Sequence, residues 1–315
     1  RTLLMNHKKI YTLFFGLFTI INLANSQDNL QTFVAKSGDG IISILRREGL
    51  DIGTYYQQFI DLNKDKISNG SLLKLGQTYK IPNSDTSFRN MGRRISLSED
   101  NLDSPIFEPT MYSLSKKDTL LKNTVYYLLL DKFNANDLQL LRTTSEIRNE
   151  LALRISKELL EQGARVFLFD YDANSIINLG DYIDAINKTY LKYSDEYQRL
   201  LVMDVDQGDF SEKAKISISH FEKSKEGEKF AKSIEHIFKK SKIILDSNPK
   251  KNGIFIDKTN LYLANNALPA MTFIKIDSQN KQPNNKTITD SNKNKFVDLI
   301  TTGIQIDYSN VVLED

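Results

Sequence analysis

Val125-Tyr126-Tyr127-Leu128-Leu129-Leu130 is an unbroken apolar run of β-forming type, and it constrains residues 103 to 315 more than any other feature. A strand with one wet face alternates apolar and polar residues, whereas a run without alternation must be covered on both faces. Further strands are expected at 165 to 169, 200 to 205, 216 to 221, 260 to 263 and 271 to 276. Between them, Ile147, Leu151, Ile155, Leu159 and Leu160 recur at helical spacing, with Gly163 placed to cap that helix. Phe230, Ile234, Ile237 and Phe238 mark a second amphipathic helix over 227 to 240, and 296 to 308 reads as a closing helix. Alternation of this kind predicts an α/β fold, a mixed or mainly parallel sheet flanked by helices. The Asn- and Lys-rich stretch 278 to 295 reads as a surface loop.

Ahead of this region, three segments differ in composition. From Met5 a short polar start with His7, Lys8 and Lys9 runs into the apolar stretch Ile10 to Leu23 and then Ala24-Asn25-Ser26. Small residues at positions −3 and −1 predict cleavage before Gln27, so residues 1 to 26 read as a signal peptide and the mature chain as periplasmic. An apolar stretch of about 14 residues falls short of the ~20 that span a bilayer, and no later run is long enough, so no transmembrane segment is expected in the mature chain. Residues 83 to 102, rich in Ser, Asn, Asp and Arg without apolar periodicity, read as a linker.

Charge and cysteine usage remove several function classes. The formal charge is +2, but residues 1 to 26 hold Arg1, Lys8 and Lys9 and no acid, leaving 39 basic against 40 acidic residues. That balance gives no footprint for nucleic acid. With no cysteine in the chain, a disulfide framework, a thiol nucleophile and thiolate metal sites are excluded. No phosphate-binding glycine loop, nucleotide fingerprint or Gly-x-Ser-x-Gly elbow occurs.

Residues 31 to 82 follow the order strand, helix, helix, strand. Phe33-Val34-Ala35-Lys36-Ser37-Gly38-Asp39-Gly40-Ile41, then Leu62-Asn63, then Gly76-Gln77-Thr78-Tyr79-Lys80-Ile81-Pro82 resemble the LysM module throughout its length. The resemblance implies a βααβ fold that binds N-acetylglucosamine-containing glycans such as peptidoglycan. It implies a shallow groove between two loops, one with Gly38, Asp39, Gly40 and Ile41 and the other with Asn69, Gly70 and Leu72. Glycines there let backbone groups approach sugar hydroxyls, and Ile41 or Leu72 could pack an acetyl methyl.

Residues 103 to 315 resemble N-acetylmuramoyl-L-alanine amidases, particularly those fused to an amino-terminal LysM module. The resemblance rests on Val125-Tyr126-Tyr127-Leu128, Leu151-Ala152-Leu153-Arg154 through Gly163-Ala164-Arg165-Val166-Phe167, Tyr197-Gln198-Arg199-Leu200-Leu201-Val202, Lys223-Ser224-Lys225-Glu226-Gly227, Asn260-Leu261-Tyr262 and Leu268-Pro269-Ala270. It implies zinc held by two histidines and a glutamate, with a second glutamate moving protons. Here the first histidine position falls on Lys132, or Asn134 in a shifted register, and the glutamate ligand on Thr144 or Glu146. The second histidine position falls on Asp204 or Asp206, and the proton-moving glutamate on Ile274. Neither a lysine ammonium nor an asparagine amide replaces imidazole, and isoleucine transfers no proton. The ligands for the family's zinc are therefore not preserved, and neither catalytic nor metal residues are expected. The mature chain has two histidines, His220 at a strand end and His236 off the apolar stripe of its helix.

These readings predict a peptidoglycan-binding periplasmic protein whose amidase-like domain is a non-catalytic scaffold for peptide stems or an envelope protein. Two alternatives stay open on sequence: an active amidase with an altered metal site of Glu146 with Asp204 or Asp206, and an envelope assembly component that binds no glycan.

Overall fold

The computed structural model describes residues 31–67, 72–97, 103–107, 114–132, 138–172, 178–205, 215–241, 243, 245, 254–277 and 290–314. The expected signal peptide, residues 1 to 26, lies outside them. Among the described residues no helix is long and apolar enough to cross a membrane. By contacts the chain divides into two units, Arg1–Ile41 with Gly53–Asn83, and Ile42–Ile52 with Ser84–Asp315.

The first unit is built on a two-stranded antiparallel sheet, β1 (Thr32–Val34) against β2 (Thr78–Lys80). Two helices lie between these strands in sequence, α1 (Ile41–Arg47), which counts with the second unit from Ile42 onward, and α2 (Ile52–Leu62), which counts with the first from Gly53 onward. The expected strand, helix, helix, strand order is the observed one. Phe33, Phe59 and Tyr79 stack with ring centroids 5.8 to 6.3 Å apart. The buried Asn63 amide donates to the carbonyls of Phe59 and Lys80, each at 2.8 Å, and its oxygen accepts from the Lys80 amide at 2.7 Å. One side chain thus satisfies a helix end and a strand edge together.

The second unit carries a seven-stranded sheet. Its elements are α3 (Phe88–Met91), β3 (Gly92–Ile95), β4 (Ser104–Pro105), β5 (Thr124–Lys132), α4 (Leu138–Glu161), β6 (Arg165–Asp172), α5 (Leu179–Lys192) and β7 (Tyr197–Val205). There follow β8 (Lys215–His220), α6 (Lys225–Lys240), α7 (Lys258–Asn266), β9 (Ala270–Asp277) and α8 (Asp290–Glu314). The strand order is β4-β3-β6-β5-β7-β9-β8. The five inner strands are parallel and the two outer ones antiparallel, so the sheet is mixed and mainly parallel as expected. On β5, Tyr126, Leu128 and Leu130 point into a core with α4, α6 and α8, while Val125, Tyr127 and Leu129 point into one with α5 and α7.

Three expectations are corrected, and one helix was not anticipated. The linker reading of 83 to 102 fails over 88–95, because Phe88 is buried and β3 pairs parallel with β6 from Gly92↔Val166 to Ile95↔Phe169. The Gly-Arg-Arg-Ile strand is half-buried near the sheet edge, which is why it has no apolar period. Residues 260 to 263 lie within α7 and not in a strand. The Asp257 carboxylate caps that helix, accepting from the amides of Thr259 at 2.8 Å and Asn260 at 3.1 Å. Helix α5 was not anticipated, although the capping box of Asn178 with Asp181 and the spacing of Tyr182, Ile183 and Ile186 announce it. Finally, α8 starts at Asp290 within the expected surface loop, whose residues 278 to 289 are outside the described ones.

Helix α8 is fixed to the sheet by a buried ion pair. Arg199 of β7 donates from Nε to the Asp307 carboxylate at 3.0 Å, Tyr197 donates its hydroxyl to the same oxygen, and Arg199 lies over the Tyr197 ring at 4.1 Å. The side chains of Arg199 and Asp307 are 6% and 2% exposed. Burial raises the Asp307 carboxyl above its ordinary range, with Arg199 pulling the other way. A second oxygen, from the half-exposed Glu226 at the start of α6, accepts from Arg199 at 3.0 Å.

Three variants test this packing. Where α8 crosses α6, a Cβ on Gly303 would stand 2.7 Å from the Ile234 Cα. Gly303→Ala should therefore lower stability by about 1–3 kcal/mol in urea unfolding, because two backbones must separate. Asp307→Ala should cost about 3 kcal/mol by stranding a buried guanidinium. Glu226→Ala, at the exposed end of the same cluster, should cost less than about 1 kcal/mol.

Candidate functional site

The two loops assigned to glycan binding meet in the first unit. Gly40 forms an antiparallel bridge with Leu72, joining the loop after β1 to the loop before β2. The first loop is a tight turn in which the Asp39 amide donates to the Lys36 carbonyl at 3.1 Å and the Lys36 amide donates to the Asp39 carboxylate at 2.8 Å. Gly38 closes it at φ +86°, a conformation that favours glycine. No atom lies within 4 Å of where a Cβ would stand on Gly38 or Gly40, so this backbone faces open space. Leu72 is 82% exposed beside it. Ile41, at 1% exposure, belongs to the core, so its side chain is not available to an acetyl methyl and only its backbone remains at the loop. Asn69 and Gly70 lie outside the described residues. Asp39 has its carboxylate committed to the turn, and Asn63 is structural.

In the second unit the positions compared with the zinc ligands lie near the carboxyl ends of adjacent strands. Leu130, Met203 and Ile274 form one row across β5, β7 and β9. Lys132 stands two residues further along β5, in register with Asp172 of β6. Asp204 stands one residue further along β7, in register with Lys275. That single step decides the geometry, because successive side chains on a strand point to opposite faces. Met203 and Ile274 enter the core under α4, α6 and α8, so Asp204 and Lys275 face the α5 and α7 side with Val202 and Phe273. Asp204 and Ile274 therefore do not share a pocket. Thr144 and Glu146 lie on the backbone of α4, while Asn134 and Asp206 are outside the described residues. Among the described residues no group of three or more His, Asp or Glu side chains could hold a metal ion. His220 ends β8 with Nδ1 3.2 Å from the Phe221 carbonyl oxygen, and His236 is exposed on α6. Ile274 in the core and Asp204 on the other face do not together fit the zinc centre implied by the resemblance.

A groove of about 580 Å³ between α4 and α8, lined by Phe107, Glu150, Arg154, Lys157, Glu158 and Asp298 among others, was not anticipated. Its charges are paired: Arg154 and Lys293 donate to Glu150, Lys157 to Glu161 at 2.8 Å and Lys117 to Glu158 at 2.8 Å. Burial opposes ionisation of Glu150, but the hydrogen bonds from Lys293 and Arg154 outweigh it and hold the carboxyl below its ordinary range. Asp298 is raised by burial and by the neighbouring Glu158 charge. The signal in the sequence was the four-residue spacing of Glu150 with Arg154 and of Lys157 with Glu161.

No family model matches this chain, and no curated protein does. Among solved structures it is similar to the CwlD amidase from Clostridioides difficile in complex with the GerS lipoprotein, at 13% identity over 58% of this chain and 98% of that one, TM-score 0.38. It is similar to the catalytic domain of CwlV, an N-acetylmuramoyl-L-alanine amidase from Bacillus (Paenibacillus) polymyxa var. colistinus, at 10% identity over 59% and 99%, TM-score 0.37. A third similar structure is the catalytic domain of the CD27L endolysin targeting Clostridia difficile, at 16% identity over 57% and 96%, TM-score 0.35.

The Glu150 cluster gives a pH dependence with a definite sign. A carboxyl lowered by folding adds stability that is present above its ordinary pKa and is lost as pH falls through the lowered value. The difference in urea midpoint between the wild type and Glu150→Gln should be largest near neutrality and shrink as the solution is acidified below about pH 4. A difference independent of pH would mean that the lost contacts are not ionic.

Proposed function

We propose that this protein binds N-acetylglucosamine-containing glycan, such as peptidoglycan, through its first unit, and that its α/β domain is a non-catalytic scaffold for peptide stems or an envelope protein. The observation that carries this reading is the Gly40–Leu72 bridge. It supports a groove in which open glycine backbone offers N–H and C=O groups to sugar hydroxyls while the exposed Leu72 offers an apolar contact to an acetyl methyl. The resemblance of residues 31 to 82 to LysM modules points the same way.

For the larger domain, the sequence resemblance suggests an amidase ancestry and the local geometry argues against its chemistry. Water activation by zinc requires nitrogen or oxygen ligands gathered on one side of one pocket, with a carboxylate beside them to move protons. Ile274 in the core and Asp204 on the opposite face supply neither. Export through residues 1 to 26 would bring the mature chain to the periplasm, where peptidoglycan is available.

Sedimentation with insoluble peptidoglycan checks the first part. The purified mature protein should pellet with it, and Leu72→Asp should weaken binding about tenfold, the equivalent of roughly 1.4 kcal/mol. If the wild type stays in the supernatant, the glycan-binding reading is wrong. The second part is checked by incubating peptidoglycan with protein and zinc and analysing the soluble products, where no stem peptides should appear. Their release by protein holding stoichiometric zinc would overturn the scaffold reading.

A further inference from the structure

At the carboxyl end of the sheet, three neighbouring strands place an acid, a base and a hydroxyl in one row. Asp204 of β7 is in register with Lys275 of β9, and Lys275 is in register with Ser217 of the antiparallel β8. All three alternate to the same face, because Val202 and Phe273, two residues back on their strands, lie in the core under α5 and α7. Asp204 and Ser217 are buried and Lys275 is partly so.

In parallel α/β sheets the carboxyl ends of the strands are where ligands and ions gather. A divalent cation beside Asp204 would be held through oxygen ligands. In register with Asp204, β9 carries Lys275. Directly opposed side chains on neighbouring strands have Cβ atoms about 5 Å apart, within reach of an ammonium for a carboxylate. A buried carboxylate without a counter-charge is costly, so a cation there meets a physical requirement.

We infer that Lys275 is a built-in counter-cation for Asp204 at the carboxyl end of the sheet. This rests on the non-catalytic reading of the domain and gives it a cause: the chain supplies the positive charge itself, and no metal is needed beside Asp204. Because ammonium is a donor without acceptor capacity, it balances charge but offers no coordination position and activates no water.

The test is a charge cycle read by thermal melting of the mature protein, with Mg²⁺, Ca²⁺ or Zn²⁺ added in turn. The wild type should melt at the same temperature with or without each cation. Lys275→Ala should melt on the order of 5–10 °C lower. That variant, with room opened beside Asp204, should regain at least about 3 °C in millimolar Mg²⁺ or Ca²⁺ through binding to the folded state. Lys275→Arg, which keeps the charge, should resemble the wild type and ignore the cations. The double variant Lys275→Ala, Asp204→Asn should be more stable than Lys275→Ala alone in the absence of metal, since both charges are removed together.

A metal-dependent rise in the wild type would overturn the inference, as would Lys275→Ala melting unchanged or failing to respond to any cation. If Lys275→Ala does not fold, the double variant decides: its failure to recover stability would equally defeat the inference. None of these readings uses glycan or hydrolysis, so they are independent of whether the protein pellets with peptidoglycan. Release of stem peptides by a metal-free preparation would remove the scaffold reading and leave the charge cycle to stand or fall by itself.

Discussion

Burial of β5 on both faces is the constraint from which the second unit follows. Six consecutive apolar residues, Val125 to Leu130, cannot be hidden by one layer, so helices must lie above and below, and the connections that deliver them make the neighbouring strands parallel. Beyond β5 the chain goes to α4 on one face and returns as β6. From β6 it goes to α5 on the other face and returns as β7 on the opposite side of β5. The two directions of winding diverge at β5. Position on the sheet thus fixes where chemistry could occur, and side-chain alternation fixes what can meet there.

How much of this was legible depends on the kind of signal. Long periodic or wholly apolar segments were readable: 125 to 130, the 227 to 240 helix and the Gly163 cap, which adopts φ +92° as an αL cap should. Segments whose role is set by their neighbours were not. β3 has no apolar period because it lies near an edge with its arginines half-exposed, and nothing in Gly-Arg-Arg-Ile announces a partner some seventy residues away. In α7, the apolar Leu261 and Tyr262 are exposed and only Leu263 is fully buried, so a short β-like composition concealed a helix that its Asp257 cap identifies.

The candidate sites show the same division. Gly38, Gly40 and Leu72 were placed at one groove by the LysM resemblance, and the bridge between Gly40 and Leu72 is the contact that joins their loops. Ile41 looked like a ligand contact because it follows the glycines, yet it is also the first residue of α1 and turns into the core. Asp204 and Ile274 were placed one by one against a family pattern, and each placement was reasonable alone. Only the register between β7 and β9 reveals that adjacent acid and apolar positions fall on opposite faces, since a shift of one residue reverses a strand's whole presentation.

Both ends of the sheet then make sense as problems of charge. At the amino end, Arg199 on β7 and Asp307 on α8 are buried together, and the pair holds a long helix against strands that are otherwise apolar. A lone buried ion at either position would be expensive, so each residue requires the other. At the carboxyl end, the buried acid Asp204 has Lys275 as its cross-strand neighbour. A cation supplied by the chain itself answers the charge of that buried acid without a bound ion.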